Sequence, residues 1–102
     1  MDKAKFLSFG IKPVEVEIKS LNTSIFLKEM SCKGAVVMGN CEEYIDQAVC
    51  AVLFSVCDEV GNLLFTEDDI ELITSSFNFI QIQEIATASF NLIKIKDKDL
   101  GK

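Results

Sequence analysis

Apolar and polar residues alternate strictly over Val14–Lys19, with Val14, Val16 and Ile18 on one side and Glu15, Glu17 and Lys19 on the other. A period of two with β-branched residues on the apolar side predicts a half-buried strand. Leu21-Asn22-Thr23 supplies turn chemistry, and Ser24–Met30, carrying Ile25, Phe26 and Leu27, predicts a second strand. Residues 14–30 are therefore expected to form a β-hairpin. Ahead of it, residues 1–13 mix lysines with scattered apolar positions and read as a short helical or irregular arm. After it, Ser31–Cys41 surrounds Ala35-Val36-Val37-Met38 with Gly34, Gly39 and Asn40, and reads as a loop or a short, weakly specified element.

The period changes at Glu42. Tyr44, Ile45, Ala48, Val49, Val52, Leu53, Val56 and Cys57 recur at the spacing of one continuous helix face, predicting a helix over 42–57. Cys50, Ala51 and Phe54 widen that stripe until its second half is nearly all apolar, the mark of a buried helix. Glu42, Glu43 and Asp46 suit the positive end of its dipole. Asp58-Glu59-Val60-Gly61-Asn62 then predicts a tight turn, with Gly61 or Asn62 at positive φ. Leu63-Leu64-Phe65 is a short extended apolar run. Thr66 followed by Asp69 is a T-x-x-D form of the capping box, opening a helix over 66–75. Ser75, Ser76 or Asn78 caps a last helix over 78–95, whose stripe is Phe79, Ile82, Ile85, Ala86, Ser89, Phe90 and Ile93. Residues 96–102 are a charged tail. The expected fold is α+β and mostly helical, an N-terminal β-hairpin followed by three helices within one domain over 14–95.

Composition narrows the chemistry. All 10 basic residues are lysines, there is no Arg, His or Trp, and the net charge is −6. Arg supplies the bidentate fork that phosphates favour, and His the usual general base and metal ligand near neutral pH. Their absence points away from an enzyme, and the acidic balance points away from nucleic acid. The longest apolar run, Ala48–Phe54, is far below the ~20 residues of a membrane span. No stretch near the N-terminus resembles a signal peptide, so a soluble cytoplasmic protein is expected. Cys32, Cys41, Cys50 and Cys57 contain no C-x-x-C, and Cys50 and Cys57 lie about 10 Å apart along one helix, too far to bridge. They are expected to be reduced thiols that act as small hydrophobes.

Two acidic groups invite a ligand reading. Setting Gly61 at the glycine position of an EF-hand loop places Val56 and Val60 at ligand positions and leaves only Asp58 and Glu67 as side-chain donors. Calcium requires about six to eight oxygens, so Asp58, Gly61, Phe65, Thr66 and Asp69 read as a structural turn and cap. Asp68, Asp69 and Glu71 fall in a helix's first turn, where the dipole alone accounts for acids. Neither catalytic residues, nor a metal, nor a cofactor is implied.

Ala48–Glu71, AVCAVLFSVCDEVGNLLFTEDDIE, resembles the tail assembly chaperones of long-tailed bacteriophages and prophages. In that family an apolar helix closes on an acidic-glycine turn, here Asp58-Glu59-Val60-Gly61-Asn62, before an "L-F-T-[DE]-[DE]-D" helix start, here Leu64–Asp69. Glu84–Leu92 is similar to the family's final helix, and Leu27-Lys28-Glu29-Met30-Ser31 to the end of its strand pair, so the likeness spans roughly residues 14–95. The chain departs from the family at Ser31–Cys41, which carries no charge except Lys33 where relatives have a charged helical stretch. The resemblance implies a non-enzymatic chaperone that coats the tape-measure protein and keeps it soluble as the tail tube polymerises. The alternative is a small adaptor or regulator that binds one helical partner.

Charge distribution bears on partners under either reading. Between Gly34 and Ile93 there are 10 acidic residues and no lysine, while both ends are basic. Weak self-association is expected, together with capture of an amphipathic helical segment in a groove. Phe77, Phe79 and Phe90 are the candidate partner contacts; Phe77 and Phe79, two apart, cannot share one helix face.

Overall fold

The computed structural model describes the backbone of residues 1–100 and the side chains of residues 1–92. The stripe position Ile93 and the side chains of the predicted tail over 96–102 therefore lie outside the description, while the backbone of the last helix continues past its predicted end at 95, through Leu100. The chain runs α1 (Lys3–Leu7), β1 (Val14–Ile18), β2 (Thr23–Leu27), α2 (Cys32–Gly39), α3 (Tyr44–Ser55), β3 (Val56–Cys57), α4 (Ile70–Ser76) and α5 (Phe79–Leu100). One antiparallel sheet has the order β1-β2-β3, α5 packs on β1, and α2, α4 and α5 gather around α3, which gives the expected α+β, mostly helical fold.

The hairpin forms where alternation predicts it. Val14 pairs with Leu27, Val16 with Ile25 and Ile18 with Thr23, which puts these residues on one face. A 3-10 turn over Lys19–Leu21 makes the reversal, and Asn22 closes it at φ 58. Asn is one of the few residues other than Gly that visits this left-handed conformation, and its backbone N–H donates to the Lys19 carbonyl at 3.0 Å. The apolar face is covered unevenly: Ile18 is buried, Val16 half-buried and Val14 exposed.

α3 is the centre of the core. Its residues Ala48–Ser55 are all buried, and α5, α2 and α4 pack around it. The predicted helix over 42–57 ends two residues early. Val56 turns extended (φ −71, ψ 124) and pairs with Leu27, Cys57 pairs with Phe26, and Lys28 N–H donates to the Ser55 carbonyl at 2.9 Å. Val56 and Cys57 fit a helical stripe and a buried strand equally well, since periodicity cannot separate two elements that are apolar all round. The third strand thus emerges without a loop from the end of α3.

Ser31–Cys41 is also corrected, because it is mostly helix. Ser31 Oγ accepts from Gly34 N–H at 3.1 Å, an N-cap that starts α2. Two glycines within eight residues disfavour a helix on propensity alone. Packing overrides them: a Cβ on Gly34 would stand 2.8 Å from Phe54 Cγ and 2.9 Å from its Cβ. Gly34 therefore lets α2 lie directly on α3 while Val37 and Met38 cover the core. The arm over 1–13 holds the short helix α1, capped by Asp2, with no buried residue.

Candidate partner-binding surface

The acidic turn after β3 is built around one carboxylate. Asp58 Oδ1 accepts from the backbone N–H groups of Val60, Gly61 and Asn62, each at 2.9 Å. These bonds, that from Asn62 foremost, hold the Asp58 carboxyl below its usual range. Gly61 takes φ 103, and its carbonyl accepts from Lys28 Nζ at 2.8 Å, which fastens the turn to the end of β2. Asp58 is thus occupied by the backbone, and Val56 is buried in β3. Among the described residues, no three His, Cys, Asp or Glu side chains converge as metal ligands.

The helix start that follows is the predicted capping box. Thr66 Oγ1 accepts from Asp68 N–H at 3.3 Å, and Asp69 Oδ2 accepts from Thr66 N–H at 2.8 Å. The first turn is 3-10 over Glu67–Asp69, and α4 continues from Ile70. Phe65 is half-buried against the core. Thr66→Ala should destabilise the protein by ~0.5–2 kcal/mol and Thr66→Ser hardly at all in chemical denaturation. The loss falls toward the lower end because Asp69 keeps its own half of the box. Equal losses for Ala and Ser would assign the effect to the methyl group.

Asn78 caps α5 in the same reciprocal way, accepting from Gln81 N–H at 2.8 Å while its own N–H donates to Gln81 Oε1 at 3.0 Å. Ile82, Ile85, Ala86 and Ser89 point into the core as predicted. Phe77 and Phe90 are half-buried and packed on the core, whereas Phe79 is exposed beside exposed Ile80. Phe77 lies in the junction before α5, and Phe79 and Phe90 stand 11 residues apart along the helix, about 16 Å on its axis.

What the helix does create is a groove against β1, of about 680 Å³. Val14, Val16, Ile18, Ile80, Ala88 and Leu92 give it an apolar floor and walls, and Glu17, Gln83, Glu84, Thr87 and Asn91 a polar rim. Its signal in the sequence is faint: Ile80 stands off the helix's core stripe, and Val14 and Val16 read simply as core.

Glu84 holds one end of the groove in shape. Its Oε1 accepts from Ser20 N–H at 2.9 Å and its Oε2 from Lys19 N–H at 2.8 Å, tying α5 to the turn between β1 and β2. Hydrogen bonds from Ser20, then from Lys19 with its positive charge, hold the Glu84 carboxyl below the usual range. A lowered folded pKa means that this tether is complete above the ordinary Glu value near ~4.3 and is lost as pH falls through the lower folded one. Acidification below about pH 4 should therefore move the Lys19 and Ser20 amide NMR signals. Glu84→Gln should remove that titration. A titration that survives the substitution would assign it to another carboxylate.

The fold carries the comparison with known proteins. No protein-family profile matches the sequence, and no curated protein does either. Among solved structures, the chain is similar to the tail assembly chaperone of bacteriophage HK97, with a TM-score of 0.59 at 16% identity. The likeness covers 91% of this chain and 99% of that one. This chain therefore has the fold of that chaperone, sheet and helices together, as the L-F-T-E-D-D start and its acidic turn lead one to expect. Among the described residues, no helix is long and apolar enough to cross a membrane.

Proposed function

We propose that this chain is a phage tail assembly chaperone, a non-enzymatic protein of the host cytoplasm that binds a tape-measure protein and keeps it soluble during tail assembly. The observation that supports this reading most is the fold shared with the HK97 chaperone over nearly the whole of both chains. The groove between β1 and α5 suits the task, because its apolar floor can take one face of an amphipathic helix. Its apolar contacts supply the affinity, and charge mainly the encounter rate, so binding should persist in about half-molar salt. Exposed Phe6, Leu7 and Phe9 on the lysine-bearing arm favour weak self-association alongside.

Co-expression tests the reading. A tape-measure fragment that aggregates alone should become soluble and co-purify with this protein. Val14→Lys, Ile80→Lys and Phe79→Ser each alter a residue that is 47%, 66% and 52% exposed, respectively. The Val14 and Ile80 changes should abolish rescue without moving the melting temperature, and loss with Phe79→Ser would extend the contact to the start of α5. A fragment that stays insoluble, while a characterised chaperone rescues its own tape measure under the same conditions, would refute the assignment.

A further inference from the structure

Away from the groove, on the other partners of α3, two thiols face each other. Cys41, in the loop after α2, and Cys50, in the middle of α3, have their sulfurs 3.6 Å apart. Cys41 Sγ also donates to the Val37 carbonyl at 3.5 Å. With its single proton used there, Cys41 leaves its lone pairs free to accept from the Cys50 thiol. Both line a small cleft of about 180 Å³, with Ile45, Val49, Ile70 and Thr74 as its walls. Cys50 is 5% exposed and Cys41 half-buried, so the loop sulfur meets a small solute first. The loop is fixed in place, because Gln47 Nε2 donates to the Cys41 carbonyl at 3.0 Å.

We propose that Cys41 and Cys50 form an oxidisable dithiol, a modification site for small peroxides that closes to an intrachain disulfide. The Cys41 sulfur attacks one peroxide oxygen, the O–O bond breaks, and the departing hydroxide takes the Cys41 thiol proton to leave as water. Cys41 becomes a sulfenic acid. The Cys50 sulfur then attacks the Cys41 sulfur, the S–O bond breaks, and the Cys50 proton leaves with the hydroxide as a second water. Two electrons pass from the sulfur pair to the peroxide, and the S–S bond remains. Cys50 takes the second step because burial keeps it from the peroxide, and it attacks as its proton passes to the departing hydroxide. Burial, the hydrogen bond and proximity to Cys41, and the charges of Asp46 and Glu67 push its thiol up to about 11, so it is protonated at neutral pH. The closed form ties the α2–α3 loop to the body of α3 and narrows the cleft.

The pair stands apart from Cys32, which is exposed, and Cys57, which is buried in β3. The full chain treated with hydrogen peroxide, then alkylated, supplies the test. Four free thiols per chain should fall to two, with a mass loss of about 2 Da as two hydrogens leave. Trypsin cannot locate the bond, because no lysine lies between Gly34 and Ile93. Cleavage after both lysine and glutamate leaves Cys41 as the one cysteine of a peptide over 34–42, which should emerge linked to the peptide over 44–59, with fragmentation placing the bond on Cys50 and leaving Cys57 alkylated. The oxidised chain should melt higher than the reduced one, and dithiothreitol should reverse the shift. Cys41→Ser, at the half-buried position, should remove both the linked peptide and the shift while keeping the fold; Cys50→Ser should do the same. Alkylation of both Cys41 and Cys50 after peroxide, their links going instead to Cys32 of another chain, or Cys41 halting as a sulfinic acid would each overturn the proposal.

Discussion

Leu53→Ala is expected to cost about 2–5 kcal/mol, the largest single effect of any substitution considered for this chain. Leu53 is 1% exposed and stands in the middle of eight consecutive buried residues. α2, α4 and α5 all pack on that helix, so no one neighbour can collapse into the space without pulling on the others. Removing the side chain costs its transfer free energy plus that of an unfilled cavity, and a well-braced site relaxes least. For a domain of this size, total stability is about 5–15 kcal/mol, and 1 kcal/mol shifts the melting temperature by roughly 4–8 °C. A fall of about 10 °C or more is therefore expected. Leu72→Ala is the control, since Leu72 on α4 is 56% exposed and should change stability by about 0.5 kcal/mol or less. Chemical denaturation of both variants settles the comparison. A Leu53 loss below about 0.5 kcal/mol would place that face of α3 on the surface.

The same helix shows how much of the fold is legible in the sequence. The recurrence of Tyr44, Ile45, Ala48, Val49, Val52 and Leu53 at helical spacing announces the helix, and the unbroken apolar run over Ala48–Phe54 announces its burial. The alternation of β1, the Thr66–Asp69 box and the Asp58 turn are equally local: each is complete within a few residues, and each is found as read. What the sequence hides depends on residues far apart. Gly34 reads as a helix breaker until Phe54 is set against it. Val56 and Cys57 read as helix until β2 offers them a hydrogen-bonding edge. The groove follows the same logic. Val14 and Val16 have the pattern of core residues, and only the position of α5 along the sheet determines that Ile18 is covered while Val14 is not. The candidate phenylalanines show it from the other side: Phe90 packs on the core as its place on the predicted stripe implies, Phe79 on the same stripe faces water, and nothing near Phe77 signals that it packs on the core.

Ser89→Ala is the second large effect expected, and it concerns a polar pair inside the core. Ser55 and Ser89 are fully buried, and their Oγ atoms are 2.6 Å apart, bridging the end of α3 to α5. Among the described side chains no buried polar atom is without a partner, and this pair satisfies itself. Removing one hydroxyl leaves the other in an apolar surround, a loss of about 1–3 kcal/mol. Removing both leaves nothing to satisfy, so Ser55→Ala with Ser89→Ala should be less destabilising than the two single changes added together. A double-mutant cycle in chemical denaturation reads this directly, with an expected coupling of about 0.5–3 kcal/mol between residues in contact. Both positions are helical, and a lone serine hydroxyl can turn back to the carbonyl four residues earlier, which would blunt the single-variant losses. The cycle separates the cases: strict additivity means that each hydroxyl finds such a carbonyl, and a shortfall means that the two hold α3 and α5 together. Size matters here as well as polarity, because the close approach of the two helices at this level depends on both side chains being small. Ser89→Leu should therefore destabilise the protein beyond Ser89→Ala, by about 1–3 kcal/mol for overpacking. If Ser89→Leu proved the milder change, a space beside the pair would have to exist that the buried α3–α5 contact does not contain.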